Sequence, residues 1–346
     1  MEHIGIDLHT RESQICILTS EGEIIERRIQ STRQRFTALF KGRARARVLL
    51  EATTESEWVA QTIEQWGHEV IVADPNYAPM YPARRRRVKT DRRDARMLAE
   101  AARLGSYRPA HRVSAEQRHV RRQLRGRDLL VRTRGRTIAL MRALVRSEGL
   151  RIRAGAADRF GVYVTELELP ADLQTTLRPL VVLWEHLTAQ LAAADAQLAA
   201  TVAANPVVQR LTTAPGVGPV TATAFVATLD EAGRFGGAHQ VASYLGLVPS
   251  EDSSADRRRR GHITKAGNPR MRWLLVQAAW AACRSRRAEG ASLRVWAAQL
   301  AKRRGSRIAT VAVARRLAGI LFAMWRDQTT YDGRQVGAAV SARARA

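Results

Sequence analysis

The chain has 346 residues, of which 45% are hydrophobic, so it can bury two or three domain cores and is not a disordered protein. Its 57 Lys and Arg residues outnumber 32 Asp and Glu residues, and a net charge of +25 attracts polyanions, which makes nucleic acid the default partner. Cys16 and Cys283 are too few for a disulfide framework or a thiolate zinc site, which favours a reducing, cytoplasmic location.

The first 75 residues alternate apolar runs of strand length with turn signals. The runs are HIGIDLH, ESQICILT, EIIERRIQ, RVLLEAT and EVIVADP. Glu21-Gly22 sits at a hairpin position between the second and third runs, and a predicted helix, SEWVAQTIEQWG, separates the last two. Three strands followed by strand, helix and strand predict a mixed sheet with a right-handed parallel crossover, which is the order of an RNase H-like domain.

Four acidic residues accompany this pattern. Asp7 and Glu51 lie in the first and fourth apolar runs, where an uncompensated carboxylate is expensive, and these runs are neighbours in such a sheet. Asp91 and Asp94 share one face at the start of a predicted helix, DRRDARMLAEAARLG. The set predicts a site for Mg²⁺, with Mn²⁺ as the alternative, that serves phosphoryl transfer. The alternative for Asp91 and Asp94 is a helix N-cap with its N3 partner. The alternative for Asp7 and Glu51 is a strand-end acid beside an arginine.

Two basic segments flank and follow the acidic pair. Arg84, Arg85, Arg86 and Arg87 form a run just before it, interpreted as a phosphate clamp, with a solvated surface as the alternative. From about 115 to 150 a basic helix is predicted, with leucines and valines on one side and arginines around the rest. Such a helix is suited to lie along a nucleic-acid duplex.

A second long helix is predicted from about 176 to 204. Its apolar residues follow alternating steps of four and three, which is an a/d seam. The seam comprises Leu180, Trp184, Leu187, Leu191, Ala194 and Leu198. It predicts either a dimeric coiled coil or an internal helical hairpin, and fewer than four heptads leave both open.

A glycine-rich turn follows in LTTAPGVGPVTATAFVATL. Gly216 and Gly218 lie between two apolar helical runs, which is typical of a helix-hairpin-helix that offers backbone N–H groups to a phosphate. The alternative is an ordinary helical hairpin.

Ser253 and Ser254 lie in a predicted polar loop ahead of a basic stretch. The basic residues that follow are Arg257, Arg258, Arg259, Arg260, Lys265 and Arg270. A helix is predicted to start at Asn268 as N-cap with Pro269 at N1. Arginines can hold a phosphate while a base or metal takes the proton of a serine nucleophile, although most such loops are simply solvated.

The late apolar segment 308–325 is interrupted by Arg315 and Arg316, so a buried helix is predicted and not a membrane span. No signal peptide is expected at the N-terminus. Four scattered histidines without metal-ligand spacing are interpreted as structural residues. They are His3, His9, His68 and His262.

The succession GIDLH, LLEAT, VKTDRRDA, APGVGPVTA, YLGLVPSEDSS and RRGHITKAGNPRMR resembles the DEDD transposases of the insertion-sequence-110 family, which are related to the Piv DNA invertases. The resemblance implies a RuvC-like domain whose four acids bind Mg²⁺. It also implies a C-terminal transposase domain in which Ser254, with Ser253 as the alternative, attacks DNA and forms a phosphoserine link. Ala255 stands where the family usually has glycine.

The resemblance further implies a structured noncoding RNA that pairs with donor and target DNA, held by the basic helices through shape and backbone. The predicted function is therefore a Mg²⁺-dependent serine recombinase that moves an insertion sequence. It is expected to act on DNA as a homodimer or tetramer, in the cytoplasm at the nucleoid and away from membranes.

The predicted fold is α/β plus α in four segments. They are a RuvC-like domain at 1–112, basic helices and a coiled coil at 113–205, a transposase domain at 206–330 and a disordered basic tail at 331–346. The rivals are a junction resolvase that uses metal-activated water, a non-catalytic nucleic-acid-binding protein, and an actin-like kinase or ATPase. The last lacks its glycine-rich phosphate loops here.

Overall fold

A computed structural model describes residues 1–80, 90–254 and 257–333, with backbone only at 252–254 and 257–260. The run Arg84–Arg87 and most of the predicted tail lie outside these residues. The chain forms two compact units, Met1–Val113 and a second that begins at Ser114. The finer division of the second unit at residue 205 stays a prediction.

The first unit is built on a five-stranded mixed sheet. Its strands are β1 His3–Leu8, β2 Glu12–Leu18, β3 Ile24–Gln30, β4 Arg47–Glu51 and β5 Glu69–Ala73. Its helices are α1 Arg33–Phe40, α2 Ser56–Glu64 and α3 Asp91–Leu104. The strand order is β3-β2-β1-β4-β5, antiparallel among the first three strands and parallel from β1 through β4 to β5. The mixed α/β prediction is confirmed, and the order is consistent with an RNase H-like arrangement.

The two faces of this sheet are covered by different helices. On one face, Ile4 and Ile6 are fully buried against Phe36 and Phe40 of α1. Because side chains alternate along a strand, Gly5 and Asp7 belong to the opposite face, where α3 packs on β1 and β2. The strand alternation therefore assigns Asp7 to the face that α3 covers.

The second unit is mainly helical. Its helices are α4 Ala115–Ser147, α5 Phe160–Thr165, α6 Ala171–Ala204, α7 Pro206–Leu211, α8 Pro219–Leu229, α9 Ala238–Tyr244, α10 Pro269–Arg284, α11 Ala291–Arg304 and α12 Ser306–Arg326. Its two strands are β6 Pro249–Ser254 and β7 Arg257–Ile263. In the described part of the chain, α12 alone is long and apolar enough to cross a bilayer, yet half of its apolar stretch is buried. Leu317 and Phe322 of α12 lie in the core with Phe225 and Leu275, as expected of a buried helix.

The long helices α4 and α6 form an antiparallel pair. α6 begins at Ala171, earlier than the predicted start near 176. Its N-terminal half packs on the C-terminal half of α4, where Trp184 shares a cluster with Met141 and Val145. Four of the six seam residues are buried, namely Trp184, Leu187, Leu191 and Leu198. The internal hairpin therefore accounts for the seam, which no longer argues for a dimer.

The segment around the predicted nucleophile is a β-hairpin and not the predicted polar loop. Strands β6 and β7 pair antiparallel, with Ser254 opposite Arg257 and Ser253 opposite Arg258. The loop prediction is wrong because it relied on side-chain polarity. A two-stranded ribbon can be held by its backbone hydrogen bonds without an apolar, alternating face.

Candidate metal centre and nucleic-acid surface

The sheet places Asp7 and Glu51 side by side. Ile6 pairs with Leu50 in the parallel β1–β4 register, so the next residue on each strand is one of the two acids. Both acids thus lie at the carboxyl ends of adjacent parallel strands. The Asp7 side chain is 14% exposed, and Glu51 is half-buried. The predicted adjacency of the two strands is confirmed, and the convergence of the two carboxylates on one site stays a prediction.

Helix α3 brings Asp91 to the same end of β1 as Asp7. A Cβ atom on Gly5 would lie 2.1 Å from the Ala95 carbonyl oxygen, so the α3 backbone crosses β1 in direct contact. Asp91 is the first residue of α3, about one helical turn before this crossing, and Asp94 directly precedes Ala95. Thr90 is the N-cap and accepts from the Arg93 N–H, so the alternative that Asp91 itself caps the helix is wrong.

His9 lies between Asp7 and Asp91. Its Nε2 is 3.4 Å from Asp7 Oδ2 and 3.6 Å from Asp91 Oδ1. Among the described residues, one ligand atom from each of these three side chains lies within 4.8 Å of the others. His9 is predicted above to be a structural histidine, and its second neighbour, Asp91, is brought to it only by the packing of α3.

The arrangement is suited to a divalent cation. The carboxylates of Asp7 and Asp91 come together at one end of the sheet. Glu51 lies next to Asp7 in the strand register, and Asp94 follows Asp91 by three residues in α3. Carboxylate oxygens are the donors that Mg²⁺ and Mn²⁺ take in proteins. A bound cation would also offset the repulsion between the converging negative charges.

A cavity opens beside Asp91 and is lined by charges of both signs. Its lining residues are Gln14, Glu26, Arg27, Arg28, Thr90, Asp91 and Arg92. Arg92 is ion-paired with Glu26, and Arg28 with Glu12 at 2.7 Å. Arginines next to a carboxylate cluster provide anchoring points for a phosphate chain.

In the second unit, the glycine turn forms as predicted between α7 and α8. Gly216 has a φ of +76°, and a Cβ there would lie 2.1 Å from the Ala278 carbonyl oxygen of α10, so this glycine serves close packing. Gly218 is the N-cap of α8, and a Cβ there would meet no atom within 4 Å. The phosphate-binding role of this turn stays a prediction.

The Arg270 side chain is held by an ion pair and by an aromatic ring. It is ion-paired with Asp128, whose side chain is 11% exposed, and its guanidinium lies 4.1 Å from the ring centroid of Trp273. Burial lowers the pKa of Arg270, while Asp128 opposes that effect. Arg132 contacts the same carboxylate at 3.0 Å. Asp128 therefore fixes two guanidinium groups in place.

These arginines belong to a basic cavity at the start of α10. Five arginines and one aspartate line it, together with apolar residues of α4, α8 and α10. The arginines are Arg121, Arg125, Arg127, Arg132 and Arg270. Such an excess of guanidinium groups is a candidate nucleic-acid surface.

The remaining predicted positions are described mainly by their backbone. Arg257, Arg258, Arg259 and Arg260 run along β7 opposite the serine-bearing strand. Lys265 is exposed, has a φ of +56°, and its N–H donates to the Gly246 carbonyl oxygen. Their contacts with nucleic acid stay predictions.

Comparison with known proteins gives matches along most of the chain. Residues 208–293 match a family described as "Transposase IS116/IS110/IS902 family", and residues 4–148 match a DEDD transposase family of the IS110 type. A "Probable family 20 transposase" of Pseudomonas aeruginosa is 30% identical over 96% of this chain and 98% of its own length. The "Transposase for insertion sequence element IS1111A" of Coxiella burnetii is 30% identical over 95% of this chain and 90% of its own length.

Proposed function

The chain belongs to the IS110/IS116 family of insertion-sequence transposases, which cut and rejoin DNA, and from this premise we propose how it does so. The family implies a divalent metal, which we assign to Asp7, Glu51, Asp91 and Asp94, with Mg²⁺ as the physiological ion. The observation that carries this assignment is the β1–β4 register together with the contact of α3 on Gly5. These two observations support a site built from acids of β1, β4 and α3, of the kind that phosphoryl transfer requires.

The four acids would hold the cation, and the arginines of the second unit would bind phosphates of the nucleic acid. When bound, the cation supplies charge stabilisation for the attacking and leaving oxygens. The carboxylates fix its position, because Asp7 is anchored in a buried strand and Asp91 at a capped helix start. Arginines of α4 and α10 neutralise phosphates without reading sequence.

Ser254 is the proposed nucleophile, with Ser253 as the alternative. Its Oγ passes its proton to a general base and attacks the scissile phosphorus, so that a bond forms between Oγ and phosphorus and the bond to the deoxyribose oxygen breaks. That leaving oxygen takes up a proton. In the second step a deoxyribose hydroxyl of the new partner strand attacks the phosphoserine and releases the serine. Arg257 and Arg258, opposite these serines on β7, support the assignment because guanidinium groups stabilise charge on the transferring phosphate.

A covalent protein–DNA adduct tests the serine. Labelled element-end DNA, flanking element RNA and Mg²⁺ are incubated with the wild type, Ser254→Ala and Ser253→Ala, and the products are run on a denaturing gel. The adduct should disappear in Ser254→Ala and persist in Ser253→Ala. DNA cleavage by the wild type without any adduct would instead support a metal-only, resolvase-type nuclease.

Guide RNA and oligomerisation complete the proposal. The net charge of +25 and the basic cavity are suited to nucleic-acid backbones, RNA as well as DNA, and this is the support for a bound noncoding RNA that selects donor and target by base pairing. We propose that a dimer, assembled to a tetramer on DNA, shares its sites between protomers in the cytoplasm. Mixed Ser254→Ala and Asp7→Asn proteins should then recover strand exchange that neither variant performs alone. Strand exchange that is unchanged without the RNA would contradict guidance.

A further inference from the structure

We infer that His9 is a nitrogen ligand of the metal centre, which gives the site a preference for Mn²⁺ and related transition-metal ions over Mg²⁺. This inference rests on the proposed metal-dependent function and adds a ligand outside the four acids. Its consequence is a mixed site, with carboxylates from β1 and α3 and one imidazole from the residue that follows β1.

The first support is the spacing of the ligand atoms. Two donors bound to one ion at about 2.1 Å lie about 3.0 Å apart in octahedral and about 3.4 Å apart in tetrahedral geometry. His9 Nε2 lies 3.4 Å from Asp7 Oδ2 and 3.6 Å from Asp91 Oδ1. All three ligand atoms lie within 4.8 Å of one another, so shifts of a few tenths of an ångström to about an ångström close the shell.

The second support is the anchored backbone of His9. The Ser31 hydroxyl donates to the His9 carbonyl oxygen at 2.6 Å, and the Ser31 N–H donates to the Arg11 carbonyl oxygen at 2.9 Å. Ser31 also shares a hydrogen bond of 2.7 Å with Ser13 of β2. These bonds tie the segment after β1 to the neighbouring strands, so the imidazole is held beside Asp7 although half of its surface is exposed.

The ion preference follows from ligand chemistry. Carboxylate and water oxygens suit Mg²⁺ and Mn²⁺ alike, whereas imidazole suits first-row transition metals. Mg²⁺ prefers oxygen ligands and keeps several waters, so its affinity gains little when an imidazole replaces a water. Coordination by His9 therefore raises the affinity for Mn²⁺ more than the affinity for Mg²⁺.

Electron paramagnetic resonance of Mn²⁺ bound to the full chain tests this inference without any activity measurement. Pulsed spectra of the wild type should show modulation from an imidazole ¹⁴N, and His9→Ala should lose it. Titration should show Mn²⁺ affinity falling by about tenfold or more in His9→Ala, with Mg²⁺ affinity, measured by competition, changed less than about threefold. His186→Ala, which removes an exposed histidine of α6, serves as the matched control and should match the wild type.

The outcomes separate this inference from the proposed function. Wild-type spectra without nitrogen modulation would overturn the ligand role of His9, and an equal loss of Mn²⁺ and Mg²⁺ affinity in His9→Ala would overturn the preference for Mn²⁺. Asp7→Asn should weaken binding of both ions. If it weakens neither, the acid site itself is misassigned and the proposed function fails. Unfolding midpoints of all variants in urea exclude a general loss of structure as the cause.

Discussion

Replacing Gly5 with alanine should damage the metal centre without changing any of its ligands. A Cβ atom at this position would lie 2.1 Å from the Ala95 carbonyl oxygen and 2.3 Å from the Ala99 nitrogen. Both obstacles are helix backbone, which cannot rotate away like a side chain. To restore a tolerable contact of 3.0 Å, α3 must retreat from β1 by about 0.9 Å.

Gly5→Ala should lower both the stability of the fold and the rate of DNA cleavage. Overpacking usually destabilises by about 1–3 kcal/mol, and we expect the upper end here because an entire helix must move. The same retreat shifts Asp91 and Asp94 relative to Asp7. A displacement of about 1 Å at a reacting centre can cost about 10²-fold in rate. Gly5→Ala should therefore lose most of its metal-dependent DNA cleavage.

Urea unfolding, together with hydrogen exchange measured on peptides of β1 and α3, checks the loss of stability. DNA cleavage in Mg²⁺ checks the loss of activity. Gly135→Ala in α4 is the matched control, because a Cβ there meets no atom within 4 Å and alanine favours a helix by about 0.5–1 kcal/mol. If Gly5→Ala stays within about 0.5 kcal/mol of the wild type and cuts DNA normally, α3 does not position the acids by direct backbone contact.

Three further measurements address the second unit and the sheet. Leu191→Ala should lower the free energy of unfolding by about 2–5 kcal/mol with a midpoint independent of protein concentration, because Leu191 is buried within the chain; a concentration-dependent midpoint would return the seam to a dimer interface. Gly216→Ala should destabilise α8 and α10, since its Cβ would meet backbone, whereas Gly218→Ala should not; equal urea midpoints would contradict this. Burial raises the pKa of the Cys16 thiol to about 11, so about one thousandth is thiolate at pH 8. Iodoacetamide should therefore label half-exposed Cys283 first in peptide mapping, and faster labelling of Cys16 would mean that β2 opens.

The sheet was predictable because each strand carries its own signal. Apolar runs of strand length bounded by turn residues located all five strands to within two residues. The neighbourhood of Asp7 and Glu51 followed from the strand order alone. In contrast, no element was predicted where α1 lies. Its first residues, Arg33 to Arg35, are polar, and its buried residues are Phe36 and Phe40.

The remaining differences arise where contacts between distant segments decide the structure. The β6–β7 hairpin carries no apolar alternation, so its polar sequence resembles a loop until backbone pairing is known. The role of the α6 seam depends on which partner covers it, and α4 is separated from it by α5. His9 acquires its second carboxylate neighbour only when α3 packs across β1.

The crossing of α3 over β1 also sets when during translation the protein can become chemically competent. A nascent chain that has emerged only through β5 carries Asp7 and Glu51 but neither acid of α3. Once the sheet has formed, closing the segment of roughly 17 residues between β5 and α3 costs about 2.5 kcal/mol in the length-dependent part of the loop-closure entropy, which packing of α3 must offset. A product that terminates before residue 91 would thus carry all five strands of the sheet yet lack two of the four acids that we propose hold the metal.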